Sequence, residues 1–138
     1  MAIHKKVEDV KDDGNCGYRC VGSLIGYDED NGWNKVHYDL HKEVLMHRGL
    51  YESMFTKKVV EDVIGILNCH DSPCPRSKWM QMPEMGYIIA SAYKVVLILI
   101  SKLQCLTFMP LHDAPNPEIP HNLISIAFVN GCQFMKLF

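Results

Sequence analysis

The chain has 138 residues, and 14 Lys and Arg against 16 Asp and Glu give a net charge of -2. This length suffices for one domain with a substantial core, and we expect a single domain over residues 1–138. Hydrophobic residues make up 48% and charged residues 22%, the balance of a folded globular protein and not of a disordered one. The near-neutral charge does not support a strongly basic nucleic-acid footprint, so we expect no nucleic acid among the partners.

Hydrophobic runs and cysteines indicate the compartment. The longest aliphatic run, Val95 to Ile100, is far shorter than the roughly 20 residues of a membrane helix, so we expect no membrane span. No apolar stretch follows the basic pair Lys5 and Lys6, so no secretory signal is predicted. Six cysteines without such a signal favour reduced thiols and a cytoplasmic or nuclear protein.

Three helical patterns occupy the first part of the chain. The polar turn at Asp12–Asn15 predicts a helix that begins at Cys16, with Asn15 as its N-cap. After a polar loop at Asp28–Gly32, apolar residues recur at spacings of three and four, which predicts a second amphipathic helix and then a third. The stripes are Trp33, Val36, Leu40 and Val44 in the second helix and Val59, Val60, Val63, Ile64 and Leu67 in the third.

The rest of the chain combines a fourth helix with strands. We expect an exposed loop over Asn68–Lys78, and Pro83 suits the first turn of the fourth helix. The aliphatic run Lys94–Ser101 predicts a strand that is buried on both faces. Helices followed by strands predict an α+β fold, with the helices packed on a small, mainly antiparallel sheet. Further strands are expected over Cys105–Leu111, Ile124–Val129 and Phe134–Phe138, the last two joined at an Asn130-Gly131 hairpin turn.

The run Asp13-Gly14-Asn15-Cys16 carries the clearest chemistry. A helix N-terminus offers unpaired N–H groups and about half a positive charge, which lowers the pKa of a cysteine placed there. The Gly14 turn lets backbone N–H groups approach a developing oxyanion. This arrangement suits a cysteine nucleophile that attacks a carbonyl. The residues leave one alternative open, a polar turn that caps a helix in which Cys16 is simply buried.

The same run, followed by Tyr18 and Arg19, resembles the nucleophile motif of the ovarian-tumour (OTU) family of cysteine proteases, whose members are mostly deubiquitinases. The resemblance covers nearly the whole chain in the right order and is greatest to compact OTU domains of plant and fungal proteins. It implies a papain-related α+β fold, no cofactor or metal, and ubiquitin or a ubiquitin-like modifier as partner. Later matching segments are Trp79, Met82–Gly86, Ile89–Ser91, Val95–Ile98, Phe128–Asn130 and Phe134.

The resemblance also implies roles for the residues of the motif. Cys16 would be the nucleophile, and the backbone N–H groups of Asp13 and Cys16 would form the oxyanion hole. Asp13 is also positioned in the motif to orient a catalytic histidine. Arg19 would tie the nucleophile helix to neighbouring loops, and Gly14 and Asn15 would shape the turn beside the site.

The chain departs from the family at the general base, a histidine directly before an aromatic residue on the last hairpin. Here Phe134 is the aromatic residue and Gln133 occupies the histidine position. Glutamine has no titratable group, so it cannot take a proton from Cys16 or return one to a leaving amine. We therefore expect a catalytically impaired or inactive pseudo-deubiquitinase that still binds ubiquitin or another protein. Two alternatives remain open: an active deubiquitinase that uses a displaced base, His112 or His121, and an interaction module unrelated to ubiquitin.

Two other groups have some of the features of metal sites. His37 and His41 are one turn apart on the second helix, a spacing that can bind metal, but without further ligands we predict a solvated helix face. Cys69 and His70 with Cys74 lack the paired spacing of zinc ligands, so we predict a loop with reduced thiols and no metal.

Overall fold

The computed structural model describes residues 7–8, 14–70, 72–73, 75–101, 104–111, 122–129 and 133–137. Within these residues, five α-helices pack on one five-stranded sheet, so the predicted α+β fold is confirmed. None of the described helices is long and apolar enough to cross a membrane. The elements are β1 Val7–Glu8, α1 Cys16–Leu24, α2 Gly32–Met46, α3 Arg48–Met54, α4 Lys57–Leu67, a 3₁₀ turn at Arg76–Lys78, α5 Glu84–Tyr93, β2 Val95–Ile100, β3 Cys105–Phe108, β4 Asn122–Val129 and β5 Gln133–Leu137.

The helices follow the apolar stripes. The four predicted helices correspond to α1, α2, α4 and α5, and Pro83 precedes the first residue of α5. Thr56 caps α4, because its side-chain oxygen accepts a hydrogen bond from the backbone N–H of Val59 at 3.1 Å. The short helix α3 was not predicted, because its seven residues bury only Tyr51 and so show no stripe.

The sheet has the order β1-β5-β4-β2-β3, and only β2 and β4 run parallel among its pairs. The predicted hairpin is formed by β4 and β5, with Val129 opposite Gln133 and Phe128 opposite Phe134. The turn residues 130–132 between them lie outside the described residues. The two-residue strand β1, which pairs with β5 through Val7 and Leu137, was not predicted because it is too short to show alternation.

The expectation that β2 is buried on both faces is wrong. Burial alternates along the strand: Val95, Leu97 and Leu99 are buried, and the residues between them are half-buried. The buried face packs against α5, since Phe108, the partner of Leu97 in β3, lies beside Gly86. The opposite face of this small sheet is covered less completely, although β2 lies in its interior between β3 and β4.

The core lies between the buried face of the sheet and the helices. Helix α1 packs against α2 on one side and against β4 and β5 on the other. The buried side chains of Tyr18 and Val21 in α1 and Leu40 in α2 are fully enclosed by these contacts. The helix that begins at Cys16 is therefore held directly against the last hairpin.

Candidate functional site

The glycine turn places Cys16 at a helix N-terminus. Gly14 has a φ of 83°, in the left-handed region that glycine adopts without strain. Helix α1 begins at Cys16 as predicted, and its first turn is closed by the N–H of Arg19, which donates to the carbonyl of Asn15 at 2.8 Å. Cys16 is only 4% exposed. This burial agrees with the alternative in which the polar turn caps the helix and Cys16 is simply buried. Its assignment as a nucleophile stays a prediction.

Asn15 does not cap the helix as predicted. Its side chain makes no capping hydrogen bond, and instead its Oδ1 lies 3.2 Å from Nε2 of His37. Both residues are fully buried. A buried amide must find a partner inside the protein, and the imidazole supplies one away from the helix end.

The prediction that His37 lies on a solvated helix face is wrong. His37 is fully buried on α2, on the side that also buries Val36 and Leu40. His41, one turn further along, is half-buried and lies at the surface beside Tyr38. His37 lies next to Val36 on the apolar stripe of the helix, and this position indicates burial. The polarity of the side chain favoured exposure instead.

The ring of His37 is held by partners from several elements. Its Nδ1 lies 3.3 Å from the carbonyl oxygen of Leu67 at the end of α4. The Tyr18 ring packs against it at a tilt of 41°, with ring centres 3.8 Å apart, and the rings of Trp33 and His70 lie at 5.8 and 5.6 Å. The pKa of His37 is lowered to about 4, mainly because the ring is buried. The hydrogen bond to Leu67 opposes this shift, and the nearby His70 adds to it. His37 is therefore neutral at pH 7.

Arg19 connects α1 to the start of α2. Its guanidinium carbon lies 5.2 Å from the centre of the Trp33 ring, within the range of a cation–π contact. Trp33 in turn meets the His37 ring edge-on. The contact is of the kind that the OTU resemblance implies for Arg19, although that role stays a prediction.

The position of the expected general base lies on the strand that packs against α1. Gln133 is the first residue of β5, opposite Val129, and Phe134 follows it opposite Phe128. Both β5 and its partner β4 contact α1. The fold therefore brings the chain segment of Gln133 to the helix of Cys16.

Several predicted site residues lie outside the described residues. They include Asp13, with its expected oxyanion N–H, and the two displaced-base candidates His112 and His121. Cys74 also lies outside them, so the Cys69-His70-Cys74 prediction is not tested. Across the described part of the chain, no group of three or more His, Cys, Asp or Glu is arranged to hold a metal ion.

Two further histidines, His70 and His47, lie near polar side chains. His70 donates from Nδ1 to the side-chain oxygen of Asn34. His47 has its Nε2 3.9 Å from the Oε1 of Glu43, one turn earlier on α2. These contacts hold both rings on the helical layer of the molecule.

Comparison with known proteins gives a match in structure alone. No protein-family model and no curated protein sequence matches the chain. The viral OTU domain protease of Dera Ghazi Khan virus superposes with a TM-score of 0.68 at 14% identity, over 96% of this chain and 79% of that one. The OTU domain of OTUD1 gives 0.64 at 13% identity, over 96% and 84%. The Hazara virus OTU, solved bound to ubiquitin, gives 0.65 at 10% identity, over 96% and 80%.

These superpositions cover nearly the whole chain and all lead to the same architecture. The chain therefore has the OTU fold, and the fold that the resemblance implied is confirmed. At identities of 10 to 15% the likeness shows the fold, and the chemistry must be argued from the residues.

Proposed function

We propose that the protein is an OTU-type cysteine hydrolase scaffold that has lost efficient isopeptidase chemistry and binds ubiquitin or a ubiquitin-like modifier. The observation that carries the proposal is the combination of Cys16, at the N-terminus of α1, with Gln133, at the start of the strand that packs against α1. The motif resemblance supports Cys16 as a nucleophile and indicates that the general base is missing at Gln133. The proposed nucleophile is a reduced thiol, which fits a cytoplasmic or nuclear protein.

Cys16 supports only the first half of an acyl-transfer reaction. Its sulfur attacks the carbonyl carbon, a C–S bond forms, and negative charge moves to the carbonyl oxygen, where backbone N–H groups stabilise it. Breaking the C–N bond then requires a proton on the leaving nitrogen, because an amide anion leaves far less readily than a thiolate. Gln133 has no proton to give at neutral pH. The adduct therefore expels the thiolate and returns the intact substrate.

His37 does not replace the missing base. Both of its ring nitrogens are engaged, Nδ1 with the carbonyl of Leu67 and Nε2 with the side chain of Asn15. Taking a proton from Cys16 would require His37 to give up the contact with Asn15 and to carry a charge in the core. Burial opposes that charge, as the lowered pKa of His37 indicates.

Ubiquitin is the proposed partner because the fold is shared with a domain that binds it. The Hazara virus OTU, which has the same fold, was solved bound to ubiquitin. Loss of a proton-transfer group removes turnover but does not remove a binding surface. A domain of this kind is expected to retain ubiquitin without cleaving it.

Cleavage of diubiquitin tests the loss of turnover. We expect the wild-type protein to cleave at a rate close to that of Cys16→Ala, and Gln133→His to exceed both by about 100-fold or more, the typical contribution of general acid–base catalysis. Ordinary cleavage by the wild type that Cys16→Ala abolishes would overturn the proposal. A bell-shaped pH profile in that case would indicate a displaced base.

Ubiquitin binding is tested separately by an NMR titration of labelled ubiquitin with Cys16→Ala, which cannot cleave or form a thioester. We expect a saturable set of shifted resonances. If ubiquitin and the related modifiers leave the spectrum unchanged, this part of the proposal fails.

A further inference from the structure

Two tyrosine hydroxyls hold one oxygen of the Asp39 carboxylate. Tyr27, in the loop after α1, donates to Oδ2 at 2.6 Å, and Tyr93, the last residue of α5, donates to the same oxygen at 2.9 Å. Within the described residues, no hydrogen bond or ion pair of Asp39 uses the other oxygen, Oδ1. A carboxylate oxygen has lone pairs for further donors, so Oδ1 is able to accept from a bound cation.

The two hydroxyls remain donors at neutral pH. The pKa of Tyr27 is raised to about 12, first by burial and then by its hydrogen bond to Asp39 and the charge of that residue. The pKa of Tyr93 is also raised, first by burial and then by the charge of Asp39. Both phenols therefore keep the proton that they donate to Oδ2, and the carboxylate stays oriented.

These three residues line an open cavity of about 320 Å³, together with the apolar side chains of Met46 and Ala92. The volume is at the lower end of the range for small-molecule sites, roughly 300 to 1,000 Å³. The Tyr27 and Tyr93 rings meet edge-on, with centres 6.2 Å apart. A carboxylate, two aromatic rings and two apolar side chains complement a cation that is carried on an apolar stem.

The wall that Tyr27 forms is built by the fold. Gly32, the first residue of α2, leaves room for it, because a Cβ at this position would lie 2.9 Å from the Cβ of Tyr27. The backbone N–H of Tyr27 donates to the carbonyl of Gly22 at 2.8 Å. Asp39 lies on α2 and Tyr93 on α5, and these two helices pack together. Because the cavity is made by packed elements, little order has to be created when a ligand binds.

The charges on and around the cavity favour a cation. Lys42 and Glu43 also line it, so its formal charges are two negative, from Asp39 and Glu43, and one positive. The Tyr27 ring already attracts a cation of the chain, since Nζ of Lys35 lies 4.3 Å from the ring centre. Lys35 does not belong to the lining of the cavity. The lining therefore presents one net negative charge to an incoming cation.

We propose that this cavity binds an alkylammonium group, the charged end of a lysine side chain or of a free amine, at Oδ1 of Asp39, with its methylene stem against Met46 and Ala92. The inference goes beyond the proposed function and concerns a different place in the fold. Cys16 is the first residue of the nine-residue helix α1. Tyr27 lies beyond the other end of that helix, roughly 13 Å along its axis.

The hydrogen bonds of Asp39 favour an ammonium over a guanidinium. A guanidinium binds a carboxylate most strongly as a fork that uses both oxygens, whereas an ammonium acts as a compact point charge. Oδ2 of Asp39 already accepts two hydroxyls. We therefore expect n-butylamine, which is an ammonium ion at pH 7, to bind more tightly than n-butylguanidine.

An NMR titration of the isotope-labelled chain with n-butylamine at pH 7, at an ionic strength held constant with NaCl, measures binding. We expect saturable shifts of the amide resonances of Tyr27, Asp39 and Tyr93, with a Kd of about 1 to 10 mM for so small a ligand. n-Butanol, which has the same stem without the charge, should not reproduce them. The absence of saturable shifts, equal shifts with n-butanol, or tighter binding of n-butylguanidine would overturn the proposal.

Substitutions in the cavity should change the affinity for n-butylamine in opposite directions. Asp39→Asn removes the negative charge and keeps an oxygen for the tyrosine hydroxyls, so it should weaken binding about tenfold or more. Lys42→Gln removes the opposing positive charge and should strengthen binding by about twofold to fivefold. Asp62→Asn, which changes an exposed carboxylate on α4, is the matched control and should leave the Kd unchanged.

The Asp39 and Lys42 variants each decide the outcome alone. Wild-type affinity in folded Asp39→Asn would contradict the proposal. If Asp39→Asn does not fold, Lys42→Gln gives the answer, because Lys42 is exposed and its replacement removes no core contact. Unchanged or weaker binding in Lys42→Gln would then overturn the inference.

Two further ligands identify the source of the ammonium group. Nα-acetyl-lysine N-methylamide represents a lysine side chain within a polypeptide, and spermidine represents a free amine. Whichever binds more tightly in the same titration shows whether the cavity takes a lysine of a partner protein or a polyamine. None of these measurements involves ubiquitin or Cys16, so a failure of the proposed function would leave this result standing.

Discussion

At the scale of single residues, the structure changes the interpretation of His37 more than that of any other residue considered. The sequence places it within an apolar stripe, next to Val36, but a polar residue there is compatible with either burial or exposure. Burial became possible because partners 22 and 30 residues away, Asn15 and Leu67, satisfy both ring nitrogens. Local periodicity contains no information about partners so distant, so the hydrogen bonds of His37 to Asn15 and Leu67 could not be predicted from it.

The burial of His37 predicts a loss of stability in acid. Its pKa is about 4 in the folded protein and 6.5 when unperturbed, so between these values the unfolded chain binds a proton that the folded protein excludes. The free energy of unfolding should therefore fall as the pH is lowered through this window, by on the order of 3 kcal/mol in total. Urea unfolding at pH 7 and at pH 4.5 measures most of this loss.

The control for this acid effect is His37→Gln, which lacks the titrating ring. It should lose less stability than the wild type between the two pH values, whereas His41→Gln should lose as much as the wild type. Equal losses in the wild type and in His37→Gln would show that other groups account for the acid sensitivity.

At the scale of secondary structure, the elements with a continuous apolar pattern were predictable and the short ones were not. Helices α2 and α4 follow clear stripes, and the run of aliphatic residues marks β2. Helix α3 depends instead on one buried side chain, Tyr51, whose hydroxyl donates to the buried carboxylate of Glu43 at 2.7 Å. That contact joins α3 to α2 through tertiary structure, which no repeat in the sequence displays.

The packing of α5 on the sheet predicts a sharp steric effect at Gly86. A Cβ at this position would lie 2.6 Å from ring carbons of Phe108, whose ring is itself buried. Gly86→Ala should therefore destabilise the protein by about 1 to 3 kcal/mol through overpacking, measured by urea unfolding. A stability equal to the wild type would mean that α5 and β3 do not approach this closely.

Gly49→Ala in α3 is the matched control for Gly86→Ala. A Cβ there meets nothing within 4 Å, and alanine is the better helix former. We expect unchanged stability or a gain of up to about 1 kcal/mol. A loss comparable to that of Gly86→Ala would instead indicate that glycine is needed at both positions for its backbone.

At the scale of the whole molecule, the fold joins the two ends of the OTU resemblance. The segments that resemble the nucleophile motif and the base position lie near residues 16 and 133, and the elements that carry them come together because α1 packs against the β4–β5 hairpin. The hairpin was predictable from its local turn signal. The parallel pairing of β2 with β4, and thus the sheet order, was not, because strand periodicity does not specify which strands pair.

The central claim is that the protein lacks a proton donor for the leaving amine while keeping a nucleophilic thiol. The most direct test compares two ubiquitin substrates in a single turnover with the protein in excess: an isopeptide, whose nitrogen must be protonated to leave, and a C-terminal thioester, whose sulfur need not be. We expect Gln133→His to accelerate isopeptide cleavage by about 10²- to 10⁴-fold over the wild type and thioester cleavage by a much smaller factor. Equal acceleration of both substrates, or a wild type that cleaves the isopeptide as fast as Gln133→His, would contradict the account.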